Sequence, residues 1–155
     1  NQAGIQFSGI NKAGSDRYLT ALVLLSGCLG QYLSGLWARP RLLERQLTAV
    51  VLLNVPCLIW MAFAQGSNRV VAACLFALVH FMNQPLYNSL IAKYTPRRRR
   101  SLCYGFSFMM GLGVGGGGST FAGYSSSDLM TYMGLAVAAL VAALVCATLC
   151  LRNRA

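Results

Sequence analysis

Acidic side chains are almost missing from this sequence: three Asp and Glu stand against 13 Lys and Arg in 155 residues, and there is one histidine. Charged residues of either sign make up 10% of the chain, well under the roughly 25% of a soluble domain. No Cys-x-x-Cys pair and no Cys/His set at metal-ligand spacing occurs. The six cysteines, Cys28, Cys57, Cys74, Cys103, Cys146 and Cys150, all fall in apolar stretches and read as small packing residues. The scarcity of acids leaves His80 without an intramembrane carboxylate partner, because Asp16, Glu44 and Asp128 lie in the polar connectors. Neither a catalytic set nor a metal site assembles, no cofactor is implied, and the chain reads as a non-enzyme.

What is present is apolar. Residues AVILMFWYC account for 56% of the sequence, more surface than a soluble globule of this length can hide. The charges are absent from long stretches and crowded into short ones, which argues against nucleic acid as the partner of the net charge of +10. A membrane-spanning helix needs about 20 largely apolar residues, set by a hydrocarbon layer about 30 Å thick and a rise of 1.5 Å per residue. Five blocks meet that length: residues 18–37, 47–64, 70–92, 101–124 and 129–151. Runs such as Val50 to Leu53 do not alternate, so the blocks are helices rather than barrel strands. The expected architecture is an all-α membrane protein with five transmembrane helices, flanked by an extracytoplasmic loop (1–17) and a tail (152–155).

Basic residues set the orientation. Ten of the 13 fall on one side: Arg39, Arg41 and Arg45; Lys93 and Arg97 to Arg100; Arg152 and Arg154. Only Lys12, Arg17 and Arg69 fall on the other. The positive-inside rule then makes the C-terminus cytoplasmic. The run Arg97 to Arg100 reads as a basic cytoplasmic loop ahead of a nucleic-acid or anionic-lipid site. A polar N-terminal stretch on the outer side, with no apolar leader, is expected of a fragment whose preceding helix lies upstream.

Polar residues inside the blocks mark candidate function. On a helical wheel with His80 at zero, Gln84, Asn88, Tyr87 and Asn83 fall near 40°, 80°, 340° and 300°, whereas Leu75, Val79, Met82 and Leu86 fall at about 200° to 260°. This stripe reads as the wall of an aqueous cavity, or alternatively as interhelical hydrogen bonding worth about 0.6 to 2 kcal/mol per contact. Pro85 within it removes a backbone donor and is expected to kink the helix and free the carbonyl near Phe81. Asn54, beside Pro56, and Gln31 are further cavity candidates, although each taken singly is more simply a local hydrogen-bonding residue.

The fourth block is rich in glycine. Gly111, Gly113 and Gly116 match the letters of a dinucleotide fingerprint, but no strand precedes them and no acid follows, and no Lys follows for a phosphate loop. Gly111 with Gly115, and Gly113 with Gly117, are small-xxx-small pairs suited to close helix packing.

Three stretches together carry a resemblance. Gly35-Leu36-Trp37-Ala38-Arg39-Pro40-Arg41 with Arg45 resembles the degenerate second copy of the cytoplasmic Gly-xxx-Asp-Arg-x-Gly-Arg-Arg loop of the major facilitator superfamily, departing from it at Arg39 and Leu42, where Asp and Gly are expected. Gln84 to Ala92, followed by Tyr94-Thr95-Pro96 and the basic run, is similar to that family's tenth helix and the loop after it. The Gly-rich block looks like its eleventh. From Arg17 onward the chain thus resembles the last five helices of such a transporter, part of one six-helix half. The resemblance implies alternating access, a small-molecule substrate held between two halves, a missing N-terminal half as partner, and residence in a bacterial inner membrane, with proton-coupled efflux or exchange as the family's common activity. The rival expectation is a small non-transporting scaffold or partner-binding subunit assembled through the Gly-rich helix.

Overall fold

The computed structural model describes residues 12–124 and 127–152. Residues 1–11 of the expected loop (1–17), residues 153–155 of the expected tail (152–155) and two residues of the last connector lie outside the described residues. Within them the chain is all-helical: α1 (Lys12–Trp37), α2 (Leu43–Phe63), α3 (Ser67–Phe81), α4 (Asn83–Tyr94), a single 3₁₀ turn (Arg97–Arg99), α5 (Arg100–Tyr124) and α6 (Asp128–Arg152).

Four runs are long and apolar enough to cross a membrane: Arg17–Trp37, Leu43–Phe63, Ser67–Tyr94 and Asp128–Leu151. The fifth expected span forms a 25-residue helix, α5, but does not join that set. Its length suffices. Its glycines, Gly115 to Gly118 among them, contribute no hydrocarbon, so it lacks a continuous 18-residue stretch as apolar as those of the other four.

Helix ends and charge boundaries differ for a physical reason. Charged residues mark where a chain leaves lipid, whereas backbone hydrogen bonding continues into water. So α1 begins at Lys12, ahead of the expected 18, and α2 begins at Leu43 rather than 47. The third block is split at Met82, where the turn closes by Met82 N–H donating to Val79 C=O at 3.2 Å. Pro85 explains the split, since it has no N–H for the carbonyl four residues back. Pro56 removes the same donor in α2, yet that helix runs through it unbroken.

At the centre is α2. It packs against α6, α3 and α4, while α1 lies along α3 and α4. One face of α2 is buried from Leu43 through Gln46, Val50, Asn54, Cys57 and Met61, the i, i+4, i+7 rhythm of a helix facing neighbours. Leu43, Val50 and Cys57 meet Val79 and Leu86 in one core cluster. Small residues Ala136 and Ala143 are the buried positions of α6.

Glycines let α1 approach α3 closely. A Cβ at Gly30 would run into the carbonyl oxygen of Leu78, and one at Gly27 would sit 2.8 Å from the Phe81 ring. Below this crossing Ser34, fully buried, donates its hydroxyl to the Met82 carbonyl at 2.8 Å. The broken helix is therefore clamped from α1 at its break.

Each end of the bundle has one ion pair among the described residues. Glu44 at the start of α2 accepts from Lys93 at 2.6 Å and also from the Tyr94 hydroxyl. At the opposite end Arg69 holds Asp128 at 2.7 Å and also reaches the Ala64 carbonyl. Leu22, Leu25, Leu36, Leu102 and Leu144 lie exposed on the outside, a surface suited to lipid and costly in water.

Candidate membrane cavity

The polar stripe of the third block does not lie on one element. His80 belongs to α3, and Asn83, Gln84, Tyr87 and Asn88 to α4, with the break at Met82 between them. Because Met82 stays in right-handed helical geometry (φ −60°, ψ −23°), the two helices continue in nearly the same direction and the stripe stays almost in register.

Four of the five stripe residues line one cavity of about 710 Å³ between α4 and α5: His80, Gln84, Tyr87 and Asn88. The opposite wall is α5, through Tyr104, Gly105, Ser107, Phe108, Gly111 and Leu112. Hydrogen bonds tie the walls together: the Tyr87 hydroxyl to Ser107 Oγ at 3.1 Å, and the Tyr104 hydroxyl donating to the Asn88 carbonyl at 3.1 Å. Gln31 on α1 donates its amide to Gln84 Oε1. It thus stands behind the wall and positions Gln84 rather than facing the cavity. His80 is held by aromatic contacts, stacked on Phe76 at 5.1 Å and edge-on to Phe81 at 6.0 Å.

Asn83 and Asn54 are placed elsewhere. Asn54 is 3% exposed, donates Nδ2 to the Val50 carbonyl at 3.0 Å, and leaves Oδ1 buried without a donor. Asn83 Oδ1 is likewise buried and unpaired. Val50, Asn54 and Cys57 share one stripe of α2, and Val79, Asn83 and Leu86 share one stripe of α3 and α4, so each amide lies among the residues of an otherwise apolar helix interface. Both sit at the same depth. Counting from the Glu44 contacts, Asn54 is about 15 Å along α2 and Asn83 about 15 Å back along α4. The two belong to the helix interface, not the cavity wall.

The sequence reading missed Tyr104 and Ser107, although the signal was there. Tyr104, Ser107, Phe108 and Gly111 recur at the i, i+3, i+4, i+7 spacing of one helix face, a pattern overshadowed by the glycines. The glycines themselves are open. Nothing lies within 4 Å of a Cβ built at Gly111, Gly113, Gly115 or Gly117. Close packing through small residues is instead made by Gly27 and Gly30 on α1.

A second cleft of about 700 Å³ continues along the same α4–α5 seam, apolar and lined by Leu90, Ile91, Leu102, Cys103 and Phe106, with Ser107 shared between the two. Of the expected loop motif, Gly35 lies in the last turn of α1, Arg39 and Arg41 in the connector and Arg45 in the first turn of α2, and all four are exposed. The ion pair at this end runs between Glu44 and Lys93 instead of through the loop arginines.

The cavity wall offers two phenols, a hydroxyl, two carboxamides and an imidazole. It carries no carboxylate. Such a wall donates and accepts hydrogen bonds without fixing a charge sign, which suits a polar neutral or zwitterionic guest. All six cysteines are free, and no group of three or more His, Cys, Asp or Glu able to hold a metal occurs among the described residues.

No protein-family model, no curated protein and no solved structure matches this chain.

Proposed function

We propose that the chain is part of a secondary transporter of the major facilitator type, supplying five helices of one six-helix half and moving a small polar solute by alternating access. The observation that carries this reading is the hydrogen-bonding cavity of about 710 Å³ lined on one side by Ser67–Tyr94, a run long and apolar enough to cross a membrane. Polar side chains are costly in lipid and are kept where they face a guest or a partner. In this reading α5 is the fifth span, and the arginine-rich end lies in the cytoplasm of a bacterial inner membrane. The open Gly face of α5 receives a helix of the other half.

The test is transport in cells expressing the full reading frame, followed with a panel of fluorescent dyes and radiolabelled metabolites. Gln84→Leu and Asn88→Leu remove cavity hydrogen bonds without touching the core and are expected to lower transport at least about tenfold, the effect of losing about 1.4 kcal/mol, at unchanged membrane abundance. Undiminished movement in both variants would refute the cavity assignment.

The open glycines also favour the second reading, a scaffold whose α5 binds a partner helix without transport. A reading frame that moves no member of the panel, yet forms a stable complex lost on Gly113→Leu and Gly117→Leu, would select it.

A further inference from the structure

We propose that the arginine-rich end carries a binding site for the phosphate of an anionic membrane phospholipid, in the hollow between the end of α1 and the first turns of α2. This hollow, about 350 Å³, is lined by Trp37, Arg39, Leu42, Arg45, Gln46 and Ala49. It is separate from the cavity on the α4–α5 seam. The proposal rests on the helices lying in a bilayer and not on transport, so its failure leaves the transporter reading untouched.

Charge imbalance is the first argument. Arg39 and Arg45 flank the hollow, both exposed. Glu44 is the one acid at this end among the described residues, and its carboxylate is engaged by Lys93 and Tyr94 across the α2–α4 contact. Two guanidiniums beside one hollow without a counter-ion present a fork geometry that matches phosphate oxygens.

The second argument is rigidity. Gln46 is 5% exposed, and its amide ties the start of the connector twice: Oε1 accepts from the Arg39 N–H at 3.0 Å, and Nε2 donates to the Trp37 carbonyl at 2.7 Å. The chain around Arg39 is therefore fixed in shape before any ligand arrives, which lowers the ordering cost of binding.

The third argument is depth, and it selects a lipid over a free anion. Trp37 ends α1 at the edge of its apolar run, the level at which indole rings collect in bilayers. Leu42 and Ala49 add apolar lining to the hollow, and Ala49 is exposed on α2 along with Leu52 and Leu53. A phosphate held there can keep its acyl chains in the hydrocarbon.

The experiment uses the full chain in nanodiscs with Trp60→Phe, which leaves Trp37 as the only tryptophan. Its fluorescence is quenched by brominated phosphatidylglycerol or by brominated phosphatidylcholine in separate titrations. At about a fivefold gain per arginine near the surface, the anionic lipid is expected to be preferred by at least about tenfold. Arg39→Gln with Arg45→Gln should reduce that preference to about twofold or less. Arg97→Gln with Arg98→Gln removes the same charge outside the hollow and should leave it nearly intact. Equal preference for the two lipids in the parent, or equal losses in the two double variants, would overturn the site. Relief of quenching by millimolar inorganic phosphate or glycerol 3-phosphate would overturn the lipid as its occupant. Unchanged helical circular dichroism is the check that each variant is folded.

Discussion

The crossing of α1 over α3 allows a sharp stability prediction, because three glycines of one helix meet three different surroundings. A methyl group at Gly30 collides with backbone: it would overlap the Leu78 carbonyl oxygen and stand 2.8 Å from the carbonyl carbon. At Gly27 the obstacle is the Phe81 ring at 2.8 to 3.2 Å, a side chain that can rotate. At Gly35 a methyl meets nothing within 4 Å. Replacing Gly by Ala in a helix contributes up to about 1 kcal/mol of stability through backbone entropy. Overpacking against a backbone that cannot yield costs about 1 to 3 kcal/mol. Gly35→Ala is therefore expected to gain up to about 1 kcal/mol, Gly27→Ala to stay near neutral, and Gly30→Ala to lose up to about 2 kcal/mol. The loss at Gly30 has a further consequence. Moving α1 outward also pulls Ser34 from the Met82 carbonyl and Gln31 from Gln84, contacts on the same face of the helix. Maleimide labelling of Cys57, which is 6% exposed, reports opening of the core during thermal unfolding in detergent, in a background where the other five cysteines are replaced. Gly30→Ala as stable as Gly35→Ala would refute the close crossing.

The buried amides of Asn54 and Asn83 make the opposite kind of test. Each buried carbonyl left without a donor costs about 1 to 3 kcal/mol, so the double variant Asn54→Leu with Asn83→Leu, close in shape, is expected to match or exceed the parent in the same unfolding assay. A loss of more than about 1 kcal/mol would mean that the amides are bonded to each other or to a trapped water. The two ion pairs should differ in worth. Glu44, with 18% side-chain exposure and two donors, is expected to couple to Lys93 more strongly than Asp128, with 67%, couples to Arg69. Double-mutant cycles should give values within about 1 kcal/mol for each pair, and equal couplings would contradict the burial argument.

The sequence told most where a single physical rule governs many residues at once. Lipid thickness and the cost of charge located the helices, and four of the five expected blocks are long and apolar enough to cross a membrane, with shifted ends and one of them split at Met82. Helical periodicity grouped His80, Gln84, Tyr87 and Asn88, which share a cavity wall. It misplaced Asn83 for a reason visible on the same wheel. At about 300° it lies nearer Val79 at about 260° than His80 at zero, so it turns with the apolar face into α2. Asn54 is a similar case, sharing its stripe with Val50 and Cys57. What the sequence did not yield was pairing between helices. The glycines of α5 drew the packing expectation, whereas the tight contact is made by Gly27 and Gly30, whose i, i+3 spacing continues to Ser34 at i+7.

That displacement bears on the proposed function. Along α5 the cavity-facing residues end at Leu112, and beyond them come Gly113 and Gly115 to Gly118, none with a neighbour within 4 Å of its missing side chain. A bare glycine face offers lipid little hydrocarbon and leaves backbone polar groups poorly shielded, while each glycine weakens the helix by about 1 kcal/mol relative to Ala. Both disadvantages disappear if another helix lies against this face, because the absence of side chains then permits backbone contact. Such a helix would reach the cavity end of α5 and close the side that α4 leaves open. Under the proposed transporter reading, the glycine tract and the open side of the cavity would both face that added helix, whereas the scaffold reading accounts for the glycines alone.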